Sequence, residues 1–213
     1  MAYTTIDKPT DYFEALLYTG DGSGNRDISG LDFQPDWVWI KDRANPGTTW
    51  HHVFDSTRGA NKPLNSNVTN TEGSVTTFPA FNSDGFRVNA GNLNTDTQTN
   101  VAWCWKANGG TRTTNTESGD NPAGGYQANT TAGFSIVDWT GTGGAGGLMA
   151  HGLGAVPHTI ITKTRSHANS WAVYHHRNTA APETDYLKLD STAATLDNVN
   201  RWNDTVPTST NLV

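Results

Sequence analysis

The chain states one pattern twice, which commits it to a repeated structural unit before any local motif is considered. Gly30-Leu31, Pro35, Lys41 and Arg43 share a frame with Gly152-Leu153, Pro157, Lys163 and Arg165: Gly-Leu, three residues, Pro, five residues, Lys, one residue, Arg. A Thr-Gly turn precedes each copy, at Thr19-Gly20-Asp21-Gly22 and Thr140-Gly141-Thr142-Gly143. An aromatic stands after each, Trp50 and Trp171, and then Phe81-Asn82-Ser83-Asp84 is matched by Trp202-Asn203-Asp204. The first copy continues through Asp84-Gly85-Phe86-Arg87-Val88 to Val101-Ala102-Trp103-Cys104-Trp105-Lys106. The second stops at Asn211-Leu212-Val213, level with Phe86 to Val88. Its last strand is therefore expected to be missing, and the natural protein to run on past Val213.

Thr and Asn make up roughly a quarter of the chain, well above ordinary usage. Thr favours strands, while Asn, Gly and Pro favour turns, so this composition predicts many short strands joined by tight loops. No stretch shows sustained helical periodicity. A net charge of -6 without Lys/Arg runs argues against nucleic acid and anionic membrane as partners. Met1 to Tyr12 has neither the apolar core of a secretory signal nor a membrane span. The single Cys104 cannot pair within the chain and reads as a small buried apolar residue, as suits synthesis in a reducing cytoplasm.

Strands are expected at Ala15 to Tyr18, Trp37 to Ile40, His51 to Phe54, Val75 to Phe78, Phe86 to Val88 and Val101 to Trp105. Trp37-Val38-Trp39-Ile40 is apolar on both faces, as a strand covered on each side would be. Asn45-Pro46-Gly47 reads as a turn and Asn82-Ser83-Asp84-Gly85 as a hairpin. Alternation sets Val101, Trp103 and Trp105 on one face and Ala102 and Cys104 on the other, fitting an inner strand of two packed sheets. The second copy is expected to begin at Phe134 to Trp139 and to continue with Thr159 to Thr162, Trp171 to His175 and Tyr186 to Leu189. The fold class is all-β: tandem antiparallel β-sandwich units of jelly-roll or concanavalin-like type, over residues 1–107 and 132–213, with 108–131 a Gly/Thr/Asn-rich connector.

No motif compels a chemical site. Gly141-Thr142-Gly143-Gly144-Ala145-Gly146 fits the dinucleotide fingerprint, but that motif must open a helix, and Gly152, Gly154 and Pro157 break the stretch after it. It reads as a hairpin loop. His51-His52 and His175-His176 invite a metal, yet neighbours on a strand point to opposite faces and cannot chelate as a pair. They read as solvent-facing or loop-packing. Asn92-Leu93-Asn94-Thr95-Asp96 alternates oxygen donors like a calcium loop but lacks the turn glycine and closing glutamate; other calcium geometries leave it open. No nucleophile elbow is present, and Cys104 sits in an apolar strand. Glycosidases need two facing carboxylates. Glu14, Glu72, Glu117 and Glu183 are the only glutamates, while Asp36, Asp42, Asp55 and Asp84 fall at strand ends, where solvation accounts for them. The chain reads as a non-enzyme without cofactor or metal. Of the eight tryptophans, Trp50, Trp139, Trp171 and Trp202 hold framework positions and are expected in the core, with Trp37 or Trp39 the more exposed. Asn-x-Thr triplets at Asn67, Asn129 and Asn203 are those expected by chance in this composition.

Several segments resemble a family of bacteriophage tail-fibre-like proteins of marine bacteria and cyanobacteria. In the first copy they are Tyr3-Thr4-Thr5-Ile6-Asp7-Lys8-Pro9-Thr10-Asp11-Tyr12-Phe13, Leu17-Tyr18-Thr19-Gly20, Asp55-Ser56-Thr57-Arg58-Gly59, Phe81 to Phe86 and Val101 to Lys106. In the second they are Gly133-Phe134-Ser135-Ile136-Val137, His151-Gly152-Leu153, Trp171 to His175 and Arg201-Trp202-Asn203-Asp204. Asp21 replaces a common Asn in the family's Tyr-Thr-Gly-Asn-Gly turn. The resemblance implies a lectin-like sandwich and a virion tail location, and it transfers no catalytic or ligand residues.

The expectation is a virion structural protein, a tail-fibre or tail-tip component for host attachment, acting as a homo-oligomer among other tail proteins. Its loops would contact a host surface glycan. The alternatives are a decoration or collar subunit, and a carbohydrate-binding module of a larger glycan-active protein.

Overall fold

The computed structural model describes residues 6–45, 47 and 49–213; Tyr3, Thr4 and Thr5 of the opening motif and Pro46 of the expected turn lie outside them. Two compact units emerge, one reaching Ser66 and including Glu72–Thr111, the other formed by Arg112–Val213 with Asn67–Thr71. The fold is all-β with antiparallel sheets.

The first unit holds β1 (Phe13–Thr19), β2 (Arg26–Ser29), β3 (Trp37–Asp42), β4 (His52–Asp55), β5 (Leu64–Asn65), β6 (Ala80–Asn82), β7 (Gly85–Val88) and β8 (Thr99–Trp105). One sheet runs β1-β8-β3-β4-β5 and the other β2-β7-β6. The last strand in sequence, β8, is thus central in space, with Leu16 and Ile40 both opposite Ala102. Alternation decides its faces: Asn100, Ala102 and Cys104 are buried, while Val101, Trp103 and Trp105 are only partly so. The expected two-faced strand exists, but its small residues, not its indoles, face the core. The second sheet needs that room. Ile28, Phe86 and Val88 pack there against Val38, Ile40, Phe54, Ala102 and Cys104. At the centre Phe78 stacks on Phe54 at 4.2 Å and on Phe86 at 5.4 Å. Val75 to Phe78 is a loop rather than the expected strand: Asn61 takes up its backbone, accepting from Phe78 N through Oδ1 and from Val75 N through its carbonyl. The hairpin at Asn82 to Gly85 joins β6 to β7 as expected.

The second unit holds β9 (Thr113–Asn115), β10 (Gly124–Asn129), β11 (Phe134–Trp139), β12 (Met149–Ala150), β13 (Thr159–Thr162), β14 (Ala172–His175), β15 (Asp185–Lys188), β16 (Leu196–Asp197), the helix α1 (Val199–Trp202) and β17 (Asn211–Leu212). Its sheets run β11-β10-β9, β12-β17 and β13-β14-β15-β16. The expected connector 108–131 is therefore corrected: it supplies two strands. Its glycines are packing residues, since a Cβ on Gly124 would lie 2.0 Å from the Asp138 carbonyl and one on Gly125 2.3 Å from that of Thr113. Composition alone cannot separate a linker from strands pressed this close.

Pairings recur between the units. β13 pairs β14, β14 pairs β15 and β12 pairs β17, as β3 pairs β4, β4 pairs β5 and β2 pairs β7. Trp202-Asn203, matched in sequence to Phe81-Asn82, departs from this by forming α1 and its left-handed cap, where Asn203 has φ 51°. Asn198 caps the other end by accepting from Asn200 N. Among the described residues the first unit's core cluster has thirteen buried residues and the second's has four, Ala172, Tyr174, Tyr186 and Trp202, with Ile136, Trp171 and Leu212 buried outside that cluster.

Candidate functional site

Two surfaces present chemistry to solvent. The first is the outer face of the five-stranded sheet. Cross-strand register sets Phe13, Trp105 and Trp37 in one row and Ala15, Trp103 and Trp39 in the next, with Leu17, Val101 and Lys41 beyond. The four indoles are partly exposed, and Phe13 and Leu17 are exposed by 39% and 65%. Phe13 tilts against Trp105 at 4.7 Å, and Trp39 meets Trp103 edge-on at 6.1 Å. Trp39 Nε1 donates to His51 Nδ1 at 3.1 Å, which fixes the indole plane. Tryptophans with one apolar face and a polar edge, held in rows on a sheet, suit flat ligands that are apolar on one side.

The second surface is a cleft of about 440 Å³ in the second unit. The glycine loop Gly141 to Gly147, Trp139, Met149, Ile160, Thr162 and Leu212 contribute to its walls. The glycine loop leads into a strand, β12, so it lacks the helix that phosphate binding requires. Trp139 is 37% exposed, and the α1 residue Val199 50%.

Other sequence candidates resolve into structure-building roles. Asn94, in the possible calcium loop, is fully buried with its amide engaged: Nδ2 donates to Asp21 Oδ1 and Ser23 O, while Oδ1 accepts from Asp21 N and Arg26 Nη1. A guanidinium stands beside the oxygen a cation would use, so that reading is overturned. Bonds from Ser23 and Asn94, with Arg26 adding attraction, hold the Asp21 carboxyl down to about 2. Asp27 is lowered likewise to about 2, by Arg87 and then Asn82.

The second histidine pair does not point apart, because β14 ends at His175 and His176 turns back beside it, and His52 takes the loop-packing rather than the solvent-facing alternative. It is 8% exposed, and its two ring nitrogens contact Asn65 Nδ2 and Asn92 Nδ2 at 3.1 Å each. Burial, with lesser contributions from Lys41 and His51, lowers it to about 4. In the second unit the His176 ring lies 4.1 Å from that of His158 and 5.0 Å from that of His175. Among the described residues no group of three or more His, Cys, Asp or Glu could hold a metal ion.

Asp36, Asp42 and Asp55 are buried rather than solvated, and only Asp84 is exposed. Asp42 accepts from Ala44 N and Asn45 N, and Asp55 from Arg58 N and its guanidinium. Each carboxylate satisfies the backbone of the turn after its strand. Trp171 and Trp202 are core residues, as expected, but Trp50 and Trp139 are exposed by 48% and 37%. Their framework positions fix the backbone path without fixing burial. Burial pushes the Cys104 thiol far up, out of nucleophilic range.

Two all-β units, one bearing an outward aromatic sheet face and the other a cleft, define a β-sandwich protein. The chain belongs to the family described as Domain of unknown function (DUF7483), whose model matches residues 8–213. No curated protein and no solved structure matches it.

Proposed function

We propose that this chain is a bacteriophage virion protein, a tail-fibre or tail-tip component that attaches to a host surface glycan through the aromatic face of its first unit. The observation that carries this reading is the double row of partly exposed indoles, Trp37-Trp105 and Trp39-Trp103, on a face directed away from the core. Indoles are costly to leave in water, and a sugar ring's apolar face covers one while its hydroxyls stay solvated. The resemblance of the opening and strand motifs to marine phage tail-fibre-like proteins points the same way. Repeated weak contacts on a homo-oligomeric fibre would supply the avidity.

The test is titration of intrinsic Trp emission with surface polysaccharide fractions from candidate marine hosts, beside peptide mapping of separated heads and tails. A saturable shift with tail-fraction peptides supports attachment. No shift with any fraction favours a decoration or collar subunit, for which the exposed Leu17 and Phe13 would be subunit contacts. Absence from every particle fraction, with glycan binding retained, favours a carbohydrate-binding module of a larger glycan-active protein.

A further inference from the structure

We propose that the aromatic face of the first unit selects sugars carrying an anionic group, a carboxylate or a sulfate ester, and that Lys41 is the side chain that makes the choice. This selectivity rests on the glycan reading of that face, to which it adds the ligand's charge. Along β1, β8 and β3 the outward positions are aromatic, aliphatic or Thr, except for Lys41. The acids of these strands, Glu14 and Asp42, fall on the opposite parity, and Asp42 is buried. Asp55, beside Trp37 in the register, is buried and neutralised by Arg58. The whole chain has a net charge of -6, yet what these three strands turn outward is one cation and no carboxylate.

Lys41 is held in place beside the indoles. Its Nζ donates to Thr49 O at 2.8 Å and to Thr49 Oγ1 at 3.1 Å. It stands two residues after Trp39 on β3, about 7 Å along the strand, a span comparable with one pyranose ring. A sugar stacked on the Trp39 indole therefore brings a ring substituent to the ammonium. His51 completes the group: its ring meets Trp39 edge-on at 6.0 Å, and its Nδ1 accepts from Trp39 Nε1 at 3.1 Å. An indole N–H only donates, so this imidazole is neutral and carries its proton on Nε2. Burial, and then the charge of Lys41, lower its pKa and keep it neutral. The positive charge here is thus Lys41's own.

An anionic substituent answers this arrangement in a way that a hydroxyl does not. A charge-assisted hydrogen bond is about twice as strong as a neutral one, and a partly exposed ammonium beside indoles is screened less than one in open water. The indoles cover the sugar's apolar face while the cation takes the anion. Leu17 lies across β8 from Lys41, about 10 Å away by strand spacing and near the screening length of physiological salt. Selection is therefore confined to the Trp39 end of the face.

The probes are polygalacturonate beside its methyl ester, and dextran sulfate beside dextran, each titrated into the whole chain and followed by intrinsic Trp emission. A preference of about tenfold or more for a charged polymer over its neutral counterpart is expected at low salt, shrinking as salt rises. Preference in the first pair assigns a carboxylate, and in the second a sulfate. Lys41→Gln should bring the paired affinities to within about twofold of each other, while Lys41→Arg, which keeps the charge, should retain the preference. Equal binding of each charged polymer and its neutral counterpart overturns the proposal and leaves the glycan reading standing. A preference that survives Lys41→Gln also overturns it, since the selecting charge then lies elsewhere. No shift with any of the four polymers overturns it too, and no shift with host polysaccharide fractions as well removes the glycan reading with it.

Discussion

The buried carboxylate of Asp36 accepts a 2.7 Å hydrogen bond from the backbone N–H of Ala107, across 71 positions of chain. The same carboxylate accepts from Gly109 N, Gly110 N and Ser56 Oγ at 2.8, 2.7 and 2.6 Å. It therefore pins the loop after β8 to the start of β3. Asp36→Ala would leave three backbone donors without their charged acceptor. It is expected to lower unfolding stability by about 3–5 kcal/mol, and Asp36→Asn by less, as measured by urea denaturation.

His52 sets a pH dependence. Its folded value near 4 lies below its ordinary 6.5, so the unfolded chain binds the extra proton. Stability is full above pH 6.5, declines as pH falls toward 4, and then levels off for this group. The loss approaches about 3 kcal/mol. Asp21 and Asp27, both held near 2, act lower: their contribution is present above their ordinary 3.8 and is lost as pH falls through 2. Melting temperature against pH should show both windows, and His52→Gln should flatten only the upper one.

Gly85 allows two strands of the smaller sheet to meet. A Cβ there would lie 1.9 Å from the Ile28 carbonyl oxygen, and both partners are backbone. Gly85→Ala should cost about 2–3 kcal/mol by overpacking and selectively speed exchange of the β2 and β7 amides.

The aromatic face separates binding from stability. Trp39→Ala should weaken glycan binding by about tenfold or more. Leu17→Asp, on the row beyond the indoles, should leave binding intact but disperse any oligomer that uses this face. The checks are emission titration for the first and sedimentation velocity for the second.

Much of the strand layout was legible locally. Trp37 to Ile40, Val101 to Trp105 and the Asn82 to Gly85 hairpin carry alternation and turn chemistry that neighbours a few residues away determine. Burial was not. His52 and Asp36 look like surface residues until Asn65, Asn92 and the Ala107 loop, all distant in sequence, close around them. Trp139 keeps a framework position yet stays exposed, because on its side no strand covers it among the described residues.

Local sequence set an all-β chain, many of the strand positions, among them Trp37 to Ile40 and Val101 to Trp105, and the alternation of β8, since each arises from backbone preference and period-two patterning. Packing between distant segments set which face of β8 turned inward, which of the turn-like segments became strands, and that β11 and β13 each end their sheet among the described residues. Those outcomes depend on which sheet packs against which face and on hydrogen bonds between residues far apart in the chain, and local pattern does not encode either.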